Sequence, residues 1–225
     1  MNVVTFYSYK GGVGRTNALA NVGYKLALEG QRVLLVDFDL EAPSLNAENF
    51  FPRVVDPEIP EADCGSGGVI DYVLEYVDGN GELIPDITNH VYDTSLPQPV
   101  KHDETEGKKV WLKVMPAGGW TNEYAAKLHR IDWKKLYSEQ NGALLLETLK
   151  AQWKTLEWSH VDENRDPGID YVLIDSRTGD ADVAGICTRQ LADTVVHVFF
   201  PNDHNTRGQV KTIKLISQEP ERSSR

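Results

Sequence analysis

The apolar residues of this chain come in short dense runs separated by stretches with helical spacing. Val3, Val4, Thr5, Phe6 and Tyr7 form a β-branched and aromatic run at the start, as a buried strand does. A glycine-rich turn follows. From Thr16 to residue 29, Leu19, Val22 and Leu26 recur on one helical face, with Gly30 as the stop. Residues 32–37 are a near-continuous apolar run ending in Asp37, the pattern of a parallel strand buried on both faces. Strand, glycine loop, helix and strand together make a βαβ unit. The alternation continues, with a helix predicted over 69–77 and a third strand over 110–115, ended by Pro116, Gly118 and Gly119. Helical periodicity fills much of 122–157, marked by Leu144, Leu145, Leu149 and Trp153. A fourth strand over 170–175, a helix over 183–191, a fifth strand over 194–200 and a last helix over 206–217 complete the pattern. Residues 41–68 and 78–108 are rich in turn-forming and acidic residues and read as loop.

This alternation predicts an α/β fold, a mostly parallel sheet with helices on both faces in a three-layer sandwich. The expected organisation is one domain over 1–217 with an acidic, loop-rich insertion at about 41–108. Residues 218–225 read as a polar tail, ending abruptly as in a piece of a longer protein.

Composition narrows the function classes. A chain of 225 residues buries enough surface to need no metal or disulfide staple. Asp plus Glu is 34 against 23 Lys plus Arg, a net charge of −11, which argues against a non-specific nucleic-acid binder. The charge is unevenly placed: residues 1–36 hold four bases and one acid, whereas residues 37–107 hold two bases and 17 acids. That acidic segment is either a solvated collar or a docking face for a basic partner. The two cysteines, Cys64 and Cys187, suit a reducing compartment, and a cytoplasmic location is expected. No apolar run approaches the roughly 18 residues of a membrane-spanning helix. The opening residues lack the basic and apolar regions of a secretory signal.

The chemistry lies in the loop Lys10-Gly11-Gly12-Val13-Gly14-Arg15-Thr16. A glycine loop between a strand and a helix is an anion site, because its N–H groups point inward and the helix N-terminus adds about half a positive charge. The strict phosphate-loop pattern G-x-x-x-x-G-K-[ST] is missed twice, by Tyr9 at the first glycine and by Arg15 at the lysine. The variant x-K-G-G-x-G-K-[ST] fits at Lys10, Gly11, Gly12, Gly14 and Thr16, with Arg15 the one departure.

On these residues the chain resembles the ParA/MinD family of deviant Walker A ATPases, in a variant that reads KGGVGR. The resemblance implies ATP and Mg²⁺ as cofactors, with phosphate on residues 11–17, from Gly11 through Val13 and Arg15 to Asn17. It also implies that Lys10 crosses an ATP-dependent homodimer to reach the partner's phosphates. Asp37-Phe38-Asp39 falls where the family carries Asp-x-Asp, which gives Asp39 the role of orienting water and contacting magnesium-bound water. The run ending in Asp175 resembles Walker B, so Asp175 joins Thr16 as a metal residue. Ser176-Arg177-Thr178-Gly179 stands in the place of the second switch, where Gly179 can offer its N–H to a γ-phosphate. Asn202, beside Pro201, is the candidate for adenine.

Arg15 leaves two readings. One is an ATP-hydrolysing switch that regulates a partner protein or a fused C-terminal domain. The other is a nucleotide-dependent assembly module with little hydrolysis, because the planar guanidinium cannot occupy the lysine's point position. Neither a membrane-binding helix nor a basic DNA-binding cluster is visible. The six histidines lack metal-ligand spacing, and the five tryptophans read as core and interface anchors.

Overall fold

A computed structural model describes residues 1–45, 67–94, 110–119, 122–158, 168–179 and 181–217. The strands are β1 (Asn2–Tyr7), β2 (Arg32–Phe38), β3 (Tyr92–Asp93), β4 (Trp111–Met115), β5 (Tyr171–Ser176) and β6 (Thr194–His197). They form one six-stranded sheet in the order β3-β4-β2-β5-β1-β6. Every neighbouring pair is parallel except β3 with β4.

The helices are α1 (Arg15–Leu28), α2 (Val69–Asp78), α3 (Tyr124–Arg130), α4 (Trp133–Glu139), α5 (Gly142–Thr155), α6 (Asp182–Gly185) and α7 (Asp203–Ser217). Side chains alternate across each strand, and this alternation builds two cores. Val33, Leu35, Leu112, Val114 and Leu173 face Leu19, Ala20 and Ala27 of α1. A Cβ on Gly23 would lie 2.6 Å from a Leu35 methyl, so this glycine sets how closely α1 seats. Val3, Leu34, Val36, Phe38, Val172 and Ile174 belong to the opposite core, with Ile70 and Val73 of α2 and Leu145, Leu149 and Trp153 of α5. Burying each such aliphatic side chain contributes roughly 1.5–3 kcal/mol.

The structure departs from the sequence pattern in four places. The helical stretch 122–157 is three helices. Asp132 accepts the Lys135 N–H and starts α4, and Asn141, at φ 53°, starts α5 from the left-handed region. The acidic segment read as loop contains a 3₁₀ turn, Ile87–His90, and the edge strand β3, too short to leave an alternating signal. The helix predicted over 183–191 begins as α6 and continues as a π-helical turn, Ile186–Leu191. Strand β6 stops at His197, because Phe199 and Phe200 are exposed and Pro201 follows.

Candidate nucleotide site

Three parallel strands end side by side, and the two acidic motifs meet there. Register pairs Asp37 with Asp175 across β2 and β5, and Phe6 with Asp175 across β1 and β5. The glycine loop leaves the end of β1 and enters α1 directly above them. Gly12 and Gly14 sit at φ 74° and 84°, the left-handed region that disfavours side chains. A Cβ at Gly11, Gly12, Gly14 or Gly179 would meet nothing within 4 Å, so the loop faces open space. Lys10 is exposed at its rim, and Val13 and Asn17 flank it.

Thr16 donates its hydroxyl to Asp175 Oδ2 at 2.6 Å. Arg15 turns inward and is only 7 % exposed. Its guanidinium pairs with Asp175 through Nε, with Asp39 through a terminal nitrogen at 2.6 Å, and with Ser8 Oγ at 3.3 Å. Burial alone would lower the pKa of Arg15, but the Asp175 and Asp39 charges more than offset it and the value is raised. Asp175 is pushed up by its burial, against the pull of Arg15 and Thr16.

Asp37 has a different part. It is fully buried and accepts the backbone N–H groups of Asp39, Ser44 and Leu45 at 3.0, 2.8 and 2.9 Å. Those three bonds fold residues 39–45 across the sheet end. Ser44 then reaches Thr16 Oγ1 at 3.2 Å. Burial, aided by the Asp175 charge, pushes the Asp37 carboxyl up to about 7. On the far side, Arg177 pairs with Glu41, tying the segment after β5 to the segment after β2. Gly179, at φ 75°, donates its N–H to Ser8 O at 3.4 Å and accepts from the Tyr7 hydroxyl at 3.3 Å.

Arg15, Thr16, Asp39 and Asp175 are thus joined by hydrogen bonds, and Gly179 is tied to Ser8 just before Lys10. Asn202 lies apart in chemistry: its side-chain oxygen accepts the Asn205 N–H at 2.9 Å and caps α7. That helix start is still beside the loop, because the Tyr9 ring meets His204 edge-on at 5.9 Å. Sequence reasoning missed Ser8, Asp37 and Ser44. Asp37 carried a signal, being the first acid of Asp-x-Asp, whereas Ser8 and Ser44 had none beyond their distance from the motifs.

The donor set can be tested against a hard cation. Among the described residues no three His, Cys, Asp or Glu side chains cluster to hold a metal by themselves. A hydroxyl, two carboxylates and phosphate oxygens are what Mg²⁺ accepts when it keeps several waters, so Thr16, Asp175 and Asp39 fit it only together with a nucleotide. Cys187 is free and buried, its backbone oxygen accepting the Thr5 hydroxyl at 2.8 Å, which is a packing role; Cys64 lies outside the described residues.

A parallel sheet with an anion-binding loop after β1 and acids at the ends of β2 and β5 defines a P-loop nucleoside-triphosphatase fold. Its fold is similar to that of solved McdA and MinD structures. The family model described as an AAA domain matches residues 1–89. McdA of Cyanothece, solved as a variant in complex with ATP, is similar at TM-score 0.56 and 18 % identity, covering 96 % of this chain and 63 % of that one. The cell-division ATPase MinD of Pyrococcus furiosus gives 0.56 and 21 %, covering 96 % and 66 %. MinD of Pyrococcus horikoshii, complexed with Mg-ADP, gives 0.56 and 19 %, covering 96 % and 65 %. The chain therefore spans just under two thirds of the length of these relatives. No curated protein matches the sequence.

Proposed function

We propose that this chain is an ATP-binding and ATP-hydrolysing switch of the ParA/MinD type. It dimerises around Mg-ATP and regulates a partner protein or a fused domain, in the cytoplasm. A single domain over 1–217 carries this activity. The observation behind the reading is the open glycine cradle whose Thr16 is already hydrogen-bonded to Asp175 at 2.6 Å. Backbone N–H groups of residues 11–17 bind the phosphates, aided by the α1 N-terminus. Lys10, exposed at the rim, reaches the nucleotide of a second copy. Asp39 orients the attacking water, while Thr16 and Asp175 hold the metal. Bound Mg²⁺ would neutralise charge on the β- and γ-phosphates. Gly179 senses the terminal phosphate through its N–H, and Asn202 lines the base side.

A second reading is supported by Arg15, whose guanidinium engages Asp39. An Asp39 held this way is a poor partner for water, and the protein would then assemble on ATP with little turnover. ATP turnover measured beside ATP-dependent dimerisation, in the unaltered protein and in Lys10→Ala, separates the two. Turnover lost with Lys10 supports the switch. Dimerisation without turnover supports the assembly module, and absence of ATP binding overturns both.

A further inference from the structure

We propose that Arg15 is the resident cation of this site: its guanidinium occupies the Asp39–Asp175 pair and keeps divalent cations out until phosphate draws it away. This inference rests on the nucleotide-binding reading for its last step alone. Three groups are suited to a hard cation here, and each is already engaged. Asp175 gives Oδ1 to Arg15 and Oδ2 to Thr16, and Asp39 gives Oδ2 to Arg15. The Thr16 hydroxyl, besides donating to Asp175, accepts from Ser44. The guanidinium also reaches Ser8, so it bridges the segment after β1, the segment after β2 and the end of β5 at once.

Arginine suits this role where lysine does not. A planar fork can serve two carboxylates and a hydroxyl together, whereas an ammonium is a point charge on its stem. The arrangement also answers an electrostatic demand. Two carboxylates this buried, side by side, repel each other and lose hydration, so a cation must stand between them. The chain supplies that cation itself. Arg15 is the first residue of α1, and the space in front of Gly11, Gly12 and Gly14 is open. A phosphate seated there offers the guanidinium an equally strong, bidentate partner. Once Arg15 turns to it, both carboxylates are exposed to a metal arriving with the nucleotide. Nucleotide and metal binding are then coupled, and the coupling is reciprocal.

The test uses Mn²⁺ as the probe, followed by the electron paramagnetic resonance of the free ion. The nucleotide-free protein, Arg15→Ala and Arg15→Lys are compared, with circular dichroism melts run alongside. Arg15→Ala should bind Mn²⁺ about tenfold or more tightly than the unaltered protein, the effect of freeing one charge-assisted partner. Arg15→Lys should fall between them, and it keeps the test decisive if Arg15→Ala does not fold. A non-hydrolysable ATP analogue should raise Mn²⁺ binding by the unaltered protein, read as the loss of free-ion signal beyond that in the same analogue without protein, since its phosphates chelate Mn²⁺ themselves. Equal Mn²⁺ binding by the unaltered protein and the folded variants overturns the proposal. If the variants gain Mn²⁺ binding but the analogue changes nothing in the unaltered protein, Arg15 stands as the resident cation and the nucleotide reading falls.

Discussion

Arg15, Thr16 and Asp175 are held by partners that sequence distance conceals. Thr16 and Asp175 are 159 positions apart and 2.6 Å apart in space. Thr16→Ala should lower affinity for Mg-nucleotide by roughly tenfold or more, since it removes a hydroxyl that fits both the metal and Asp175. Affinity measured calorimetrically without Mg²⁺ should change little, which distinguishes a metal residue from a phosphate residue. Arg15→Ala strands Asp175 and Asp39 without their cation. Breaking such a buried pair costs about 3–5 kcal/mol, so urea unfolding without divalent ions should show a marked loss of stability. His90 supplies a pH dependence away from the site. It is 1 % exposed, packs edge-on to Tyr72 at 5.4 Å, and lies 3.4 Å from Glu75. Burial lowers its pKa, opposed by Glu75, Asp71 and Asp86. The unfolded chain therefore binds a proton that the folded one refuses. This group contributes no loss above the unfolded value of about 6.5 and an increasing loss as pH falls below it. Melting temperatures of His90→Leu and the unaltered protein should diverge on acidification, with the variant less sensitive.

Among the elements, glycines and one tryptophan decide how the helices seat. Trp153 of α5 is fully buried in the core beneath the sheet. Trp153→Ala should cost about 3–5 kcal/mol in denaturant unfolding, since a side chain of that volume leaves a cavity. Gly208 of α7 lies against the Tyr9 ring, where an added Cβ would come within 2.1 Å of a ring carbon. Tyr9 immediately precedes Lys10, so Gly208→Ala should shift the start of α7 from the glycine loop. Its expected readout is weaker nucleotide binding with a smaller effect on stability. The element pattern was largely readable because β1, β2, β4 and β5 are buried on both faces and α1 is amphipathic. The breaks at Asp132 and Asn141 and the strand β3 were not. Caps and a two-residue edge strand are fixed by hydrogen bonds to neighbours rather than by periodicity.

For the molecule as a whole, the charge pattern has become more specific. Part of the acid in 37–107 is paired internally. Asp71 accepts from Lys127 at 2.7 Å, Asp93 from Lys113 at 2.8 Å, and Asp78 from Arg130 at 2.6 Å. These pairs join the acidic segment to the bases that follow it, so it is not merely a solvated collar. In the proposed dimer, the net charge of −11 opposes the approach of a second copy. Like charges repel over a Debye length of about 10 Å at 0.1 M salt, so nucleotide-driven dimerisation should tighten as ionic strength rises. Sedimentation with a non-hydrolysable analogue checks this, and weakening with salt would indicate attractive ion pairs across the interface instead. Among the described residues no helix is long and apolar enough to cross a membrane.

The α/β alternation, the glycine loop before α1 and the acids closing β2 and β5 were all legible in the chain alone. Each of these is a local pattern, written in periodicity, glycine placement or a residue following an apolar run. The part played by Arg15 was not legible there. A substitution in a loop motif states that the usual lysine is missing, but not where its replacement points. Strand register sets Asp37 beside Asp175, and the Asp39 N–H bonded to Asp37 then holds Asp39 within reach of the guanidinium that also pairs with Asp175. Register and burial arise when distant segments pack, so the role of Arg15 became visible only in the folded chain.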